Sequence, residues 1–303
     1  FLMIRRPPRS TLDRSSAASD VYKRHHSFMT QIVPSGYRGK AFSRFGGINR
    51  IGWFFGPVAG GYTAGTLGVD IPFYFISIVS IFTALIIFFS REPKYESSGN
   101  SENNKPRTFK ETVLENKKIF AVGGSGHFIM QFLRQCRHVL IPIWAFSIGL
   151  GVEELGLIQS ISAAIDMTLF YPVGLIMDKY GRKWTSVPSI ILLSSGFIFI
   201  TYANSFTGLM IVGLLLGFAN GLGSGAMLTL GSDLSPKNQP GSFLGIWRLF
   251  GWSGNSAGGP ISGAIAQTVG NTASALSVSM IGGIGVIIFS FFLPETLKNR
   301  SSL

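Results

Sequence analysis

Long apolar runs separated by short polar breaks fill the chain from about residue 48 to residue 293. Charged residues or clusters of Gly, Asn and Pro bound each run. The pattern predicts eight helices, near residues 48–67, 71–90, 119–147, 156–177, 184–203, 206–230, 243–269 and 273–293. Several runs reach about 20 residues, the length a helix needs to cross the hydrocarbon core of a bilayer. Barrel strands would alternate apolar and polar positions over about ten residues, and these runs are continuously apolar. A helix also closes its own backbone hydrogen bonds in lipid, where an open strand leaves them unmet. The expected fold class is an all-α membrane protein, a helical bundle.

Composition agrees with that reading. Of 303 residues, 46% are hydrophobic and 13% are charged, and the mean hydropathy is +0.36. Soluble domains carry about 25% charge, so a soluble enzyme or nucleic-acid-binding domain is excluded. The lone Cys136 has no partner for a disulfide framework.

The net charge of +12 gains its meaning from its placement. The loops and helix ends on one side hold 18 Lys and Arg, from Arg38 through the 91–118 segment to Lys179, Arg182, Lys183, Lys237, Arg248, Lys298 and Arg300. The opposite loops, 67–71, 148–155, 203–206 and 269–273, hold only Asp70, Glu153 and Glu154 as charged residues. Lys/Arg bias sets topology, so the basic side is expected to be cytoplasmic, with both chain ends on it. The expected location is the plasma membrane. The positive charge then meets anionic lipid head groups, not nucleic acid.

Residues 1–24, FLMIRRPPRSTLDRSSAASDVYKR, are polar, basic and aperiodic, and resemble the in-frame translation of a sequencing adapter. They lack the apolar centre of a signal peptide. The expected division is a leader at 1–26, two spans at 27–90, a hydrophilic cytoplasmic linker at 91–118 and six spans at 119–303. An internal repeat bears on this uneven split. Gly56-Pro57-Val58-Ala59-Gly60 returns 203 residues later as Gly259-Pro260-Ile261-Ser262-Gly263, each behind a basic loop (VPSGYRGKAF and LSPKNQPGSF). The second copy lies on the fifth span of a six-span half. By symmetry four spans are expected before the first copy, which makes the chain an N-terminally truncated piece of a twelve-helix protein.

These residues resemble a known family. Gly174-Leu175-Ile176-Met177-Asp178-Lys179-Tyr180-Gly181-Arg182-Lys183 is similar to the G-x-L-x-D-[RK]-x-G-R-[RK] loop signature of major facilitator superfamily transporters. Gly52-Trp53-Phe54-Phe55-Gly56-Pro57-Val58-Ala59-Gly60-Gly61 resembles the G-x-x-x-G-P-x-x-G-G pattern of proton-coupled antiporters in that superfamily. Leu293-Pro294-Glu295-Thr296 resembles the P-E-T ending of many members. The resemblance implies a secondary transporter of a small organic molecule, monomeric, with the proton as coupling ion. Export by antiport is the first expectation. Symport of a sugar, amino acid or organic anion is the second, and a non-transporting receptor on the same scaffold is the third.

Three groups of residues carry the expected chemistry. In the loop, Asp178 is expected to accept hydrogen bonds from a helix N-terminus or to pair with Arg182 or Arg248, latching one conformation. Gly52, Gly56 and Gly60 lie four apart on one helical face and are expected to admit a neighbouring helix closely. Pro57 removes a backbone hydrogen bond there.

Inside the spans, His127, Arg134, Arg137 and Asp166 are ionisable groups that cost at least a few kcal/mol unless partnered. Arg137 and Asp166 are each about ten residues from the outer loop, roughly 15 Å deep at 1.5 Å per residue. Asp166 is expected to pair with Arg137 or Arg134 and to exchange a proton, while the second Arg binds an anionic group of the substrate or the pair simply ties two helices. His127, among Gly and Ser, is a candidate proton relay or a polar packing residue, and its neighbours favour packing. Gly221, Gly223 and Gly225 read as helix-packing positions. No phosphate-binding GxxxxGK[ST] loop, metal cluster or nucleophile–base set appears, so no cofactor, ATP-driven pumping or catalysis is expected.

Overall fold

The computed structural model describes residues 38–89, 109–236, 240–293 and 295–296. The leader at 1–26, linker residues 91–108, Pro294 and the basic residues Lys237, Lys298 and Arg300 lie outside the described residues. The chain forms two compact units, residues 1–52 and 53–303. Of the first, the described part is the opening of helix α1, Arg38–Leu67. The second holds the rest of α1 and every other element.

Every regular element among the described residues is helical. After α1 come α2, Ile71–Phe89, and the short α3, Phe109–Glu115. A π-turn at Phe120–Gly124 leads into α4, Ser125–Ser147. Then follow α5, Val152–Tyr180, and α6, Lys183–Phe199, with a 3-10 turn at Ile200–Tyr202. α7, Phe206–Leu222, and α8, Ala226–Leu234, divide one predicted span. α9 is Pro240–Thr268, and α10, Asn271–Ile287, closes on a π-turn at Ile288–Phe292.

Four stretches are long and apolar enough to cross a bilayer: Val152–Tyr180, Lys183–Tyr202, Phe206–Leu234 and Asn271–Phe292. α1, α4 and α9 are 30, 23 and 29 residues long but more polar. The chain is an integral membrane protein, and its outer surface shows it. Phe73, Phe75 and Phe88 of α2 are exposed, as are Met280 and Ile284 of α10. An apolar exterior of this kind is stable in lipid and not in water.

Within the second unit the helices pack in pairs: α4 with α9, α5 with α7, and α6 with α10. Glycine makes each pairing close, because apolar side chains gain nothing by leaving lipid and tight backbone approach supplies the attraction instead. Gly213, Gly217 and Gly221 form a ridge on α7, and a Cβ on Gly221 would stand 3.2 Å from Asp166 Cα of α5. Gly254 and Gly258 of α9 meet Phe128 and Phe132 of α4, while Gly282 and Gly285 of α10 meet Ser194 and Ile190 of α6.

The Gly-Pro motif packs differently from expectation. Gly52, Gly56 and Gly60 have no atom within 4 Å of where a Cβ would stand. The contact runs along Pro57 and Gly61: a Cβ on Gly156 of α5 would lie 2.5 Å from the Pro57 carbonyl and 3.1 Å from Gly61 Cα. The face beside the predicted one makes the close approach. In the repeat, Gly263 is likewise open, Gly259 is in ordinary contact with Val139 beside Pro260, and Gly258 makes the tight contact.

The break between α7 and α8 departs from the expected continuous span. Gly225 has φ +78°, a left-handed conformation that L side chains adopt only at a cost. The three glycines thus have separate tasks. Gly221 packs on α5, Gly223 admits Ser189 and Arg134, and Gly225 turns the chain.

Candidate functional site

α4 presents two faces. Ile129, Leu133, Cys136, Leu140 and Ile141 are buried, whereas Gln131, Arg134, Gln135 and His138 form a half-buried polar strip. Their spacing of three, four and seven residues puts them on one side of the helix.

Arg137 lies next to that strip and is 6% exposed. Its Nη1 donates to Ser162 Oγ of α5 and to the Leu216 carbonyl of α7, each at 3.4 Å, and Nη2 donates to His138 Nε2 at 3.5 Å. Arg134 donates from Nη1 to Gln131 Oε1 at 3.3 Å and from Nη2 to the Asn220 carbonyl at 3.5 Å. Both arginines of α4 therefore reach the α7 backbone, at carbonyls one turn apart.

The second carbonyl lies beside the break. There, Ser224 N–H turns to the Gly221 carbonyl at 3.0 Å, a tighter turn than the helix before it. Ser189 Oγ of α6 donates to the neighbouring Ala219 carbonyl at 2.6 Å.

The direct Asp166–arginine pair is not formed. Arg137 takes neutral acceptors instead, and Asp166 acts on it only through its charge. Asp166 Oδ1 is shut off from water and accepts no hydrogen bond. These bonds to Arg137 are long for N–H···O geometry, so the guanidinium is held loosely. His127 lies apart from this group, against Trp247. It is buried, its Nδ1 donates to the Trp247 carbonyl at 3.0 Å, and its ring stacks on the indole at 5.2 Å between centroids.

A second cluster forms at the α5–α6 loop. Gly181 has φ +108°, and a Cβ there would meet the Glu295 carboxylate at 2.5 Å, so glycine is required for both conformation and space. Glu295 accepts from the Arg182 backbone N–H at 3.0 Å and from that of Lys183 at 3.1 Å, capping the start of α6. The Arg182 side chain is 1% exposed and its Nε stands 2.8 Å from Asp233 Oδ2 on α8. The N–H is not aimed along that line, so the contact is charge to charge. Arg182 Nη1 donates to the Met177 carbonyl at 3.1 Å, and Thr296 Oγ1 donates to Asp233 at 2.9 Å. Lys183 Nζ donates to the Ser290 carbonyl at 3.1 Å, and Lys179 sits over the Tyr180 ring.

The expected role of Asp178 is corrected here. Asp178 is on the exposed side of α5, and Asp233 and Glu295 supply the negative charge instead. Gly174, also in the signature, stands in open space.

The same joint connects both clusters. α7 is bound to α5 and to the two arginines, while α8 is held at its far end by Arg182 and near its start by Trp247, whose Nε1 donates to the Met227 carbonyl at 2.9 Å. Gly231 makes room for that indole, and a Cβ there would stand 2.6 Å from Nε1.

Comparison with known proteins now decides the family. The family model for the Major Facilitator Superfamily matches residues 26–135 and 123–303. The chain belongs to the Major Facilitator Superfamily. Among its relatives, YfkF of Bacillus subtilis (strain 168), an uncharacterised MFS-type transporter, is 25% identical over 219 residues, covering 70% of this chain and 53% of YfkF. The class H tetracycline resistance protein of Pasteurella multocida is 24% identical over 234 residues, covering 72% of this chain and 56% of that protein. The chain thus spans about half the length of these relatives. The crystal structure of a D-xylose–proton symporter matches with a TM-score of 0.61 at 17% identity, covering 89% of this chain and 67% of that one, which shows the shared MFS fold.

Sequence reading missed Asp233, Ser162, the Asn220 carbonyl and the Trp247 brace. The NGLGSG stretch at 220–225 was the signal for the break. Glu295 lay inside the quoted ending without an assigned task.

Proposed function

We propose that the chain forms part of a proton-coupled secondary transporter that moves a small organic solute by alternating access. Asp166 carries this reading. It is the one carboxyl group in the middle of a span among the described residues, and one of its oxygens is buried without a donor. A buried polar group without a hydrogen bond is costly, and more so when charged. Movement of α5 against α4 and α7 would change what that oxygen meets.

The Arg182–Asp233 contact supplies the latch, and the glycine break supplies the joint. Opening the latch frees the far end of α8, while α7 keeps its seam with α5 and its two arginine bonds. A bistable contact at one end of a jointed helix is a suitable gate for a carrier whose solute binds near the bilayer midplane. The α5–α6 loop is assigned to the cytoplasmic face from the Lys/Arg bias.

Export in exchange for protons is supported by the antiporter-type motif on α1 and by the tetracycline-resistance relative. Joint movement of proton and solute is the second reading, favoured by a specific observation. Arg137 lies within reach of the charge of Asp166, so a proton on the carboxyl group and a solute beside the guanidinium would meet at one place.

The test uses the full-length protein in proteoliposomes with an internal pH dye, offered ethidium and glucuronate as separate solutes. Asp166→Asn is expected to abolish solute-dependent proton movement while retaining solute exchange. Proton movement at the parent rate in that variant overturns the assignment of Asp166. The sign of the internal pH change separates exchange from joint movement.

A further inference from the structure

We propose that the transported solute is an uncharged ring carrying several hydroxyl groups, and that Trp53 of α1 and Gln135 and His138 of α4 hold it. This deepens the transport reading given above and rests on it.

Two prolines mark the place. Pro57 lies inside α1 and Pro142 inside α4. Neither has an N–H, so the carbonyl four residues earlier in each helix loses its usual donor. Those carbonyls belong to Trp53 and His138. The side chains of the same two residues meet, with ring centroids 5.6 Å apart and planes tilted by 40°. Two helices thus bring one acceptor each to the level of a single aromatic pair. In a membrane span, a carbonyl without its helical donor is met by a side chain, a water or a bound molecule.

The groups around the pair are polar and neutral. Gln131, Gln135 and His138 follow at intervals of four and three on the half-buried strip of α4, over about 10 Å at 1.5 Å per residue. Arg137 Nη2 donates to His138 Nε2, which places the proton of the neutral imidazole on Nδ1 and leaves that N–H as a donor. Gln131 accepts from Arg134 through its amide oxygen and keeps both amide hydrogens to donate. Gln135 lies against α9, since a Cβ on Gly259 would stand 3.9 Å from its Nε2. Trp53 is 58% exposed and so offers an open indole face with an N–H at the rim.

This arrangement selects against charge of either sign. A cation would have the Arg137 guanidinium one imidazole away. An anion would face the two carbonyl oxygens, while both guanidinium groups are turned to other partners. Arg137 is turned to Ser162 and the Leu216 carbonyl, and Arg134 to Gln131 and the Asn220 carbonyl. A hydroxyl group donates and accepts at once. It can give its hydrogen to a carbonyl that proline has freed and take one from an amide or the imidazole. The C–H face of a saturated ring rests on the indole, and hydroxyls around its rim reach the strip. A few placed polar groups beside an aromatic wall are the usual makeup of a small-molecule site. His138 bears on Arg137, and Arg137 on the charge of Asp166, so a solute here stands two contacts from the group assigned to proton exchange.

The experiment uses the full-length protein, in nanodiscs for thermal protection and in proteoliposomes for radiolabelled uptake. The solutes are glucose and myo-inositol, both neutral, with glucosamine and glucuronate, which keep the glucose ring and add one charge of either sign. Glucose or inositol is expected to protect and to be taken up, with both charged sugars about tenfold weaker or worse. Trp53→Ala is expected to lose about tenfold in apparent affinity for the neutral solute, and Trp53→Phe to lose less. Gln135→Leu keeps the volume without the amide and is expected to lose about fivefold to tenfold. All variants are first checked for monodispersity, and Gln135→Leu carries the test if Trp53→Ala does not fold.

Protection by either charged sugar ahead of both neutral solutes overturns the proposal, as does protection by none of the four. Affinity for the neutral solute unchanged in any folded Trp53→Ala or Gln135→Leu protein also overturns it. Neutral-solute binding without uptake leaves the site standing and removes the transport reading, whereas proton-linked uptake of a charged sugar alone does the reverse.

Discussion

Replacing Asp233 with Ala leaves the Arg182 guanidinium, 1% exposed, without its counter-charge. Breaking a buried ion pair from one side costs about 3–5 kcal/mol. The lower end applies here, because Arg182 keeps its bond to the Met177 carbonyl and Asp233 is itself 14% exposed. About 3 kcal/mol corresponds to roughly two decades in an equilibrium constant at 1.36 kcal/mol per decade. If α8 is latched by this contact, its opening becomes about 100-fold more frequent. Hydrogen exchange of the full-length protein in nanodiscs reads this directly, as a comparable loss of protection over 226–234 with little change over 206–222. The double variant Arg182→Met with Asp233→Leu supplies the control. Removing both charges avoids the stranded guanidinium, so most of the lost protection is expected to return. An Asp233→Ala protein with parental exchange in α8, or a double variant as unprotected as the single, refutes the latch.

The glycine contacts divide cleanly into tolerant and intolerant positions. Gly156→Ala places a methyl 2.5 Å from the Pro57 carbonyl and is expected to cost about 1–3 kcal/mol in a thermal-melting comparison. Gly56→Ala, with nothing within 4 Å, is expected to stay within about 0.5 kcal/mol of the parent. Gly225→Ala forces a left-handed backbone on an L residue, with an expected loss of about 1–2 kcal/mol by the same measurement.

Much of the fold was legible because lipid imposes a simple demand: long apolar runs that close their own hydrogen bonds. All eight predicted spans correspond to helices. The differences have local causes. α1 begins at Arg38, ten residues before its apolar run, since a polar sequence can also be helical and hydropathy does not report its start. α5 begins at Val152 because Gly151 N–H binds Glu154 Oε2 at 2.8 Å, a capping contact ahead of the apolar stretch. The α7–α8 break was hidden because a continuous apolar run looks the same whether its backbone is whole or turned at one glycine.

The candidate site was legible in its residue types and much less in its partners. Counting along two helices put Arg137 and Asp166 at similar heights, but said nothing of rotation about each axis. Rotation decides that Arg137 meets Ser162 and not Asp166. In the loop, nearby spacing favoured Asp178, whereas folding brings Asp233 and Glu295 to Arg182 and Lys183 from about 50 and 110 residues away. Helix faces raised the same difficulty for the Gly-Pro motif, where neighbouring rows of small residues look alike until a partner chooses one.

Glycine has opposite mechanical effects a single turn apart. At Gly213, Gly217 and Gly221 it lets α5 and α7 interlock, so the two shafts resist sliding and turn as one. At Gly225 it turns the chain, so a pull exerted on Asp233 would reach the interlocked pair only by way of that bend. Stiffness and compliance in this lobe are thus set by where one residue type falls, and a longer side chain anywhere in 213–225 shifts the boundary between what rotates as a block and what swings.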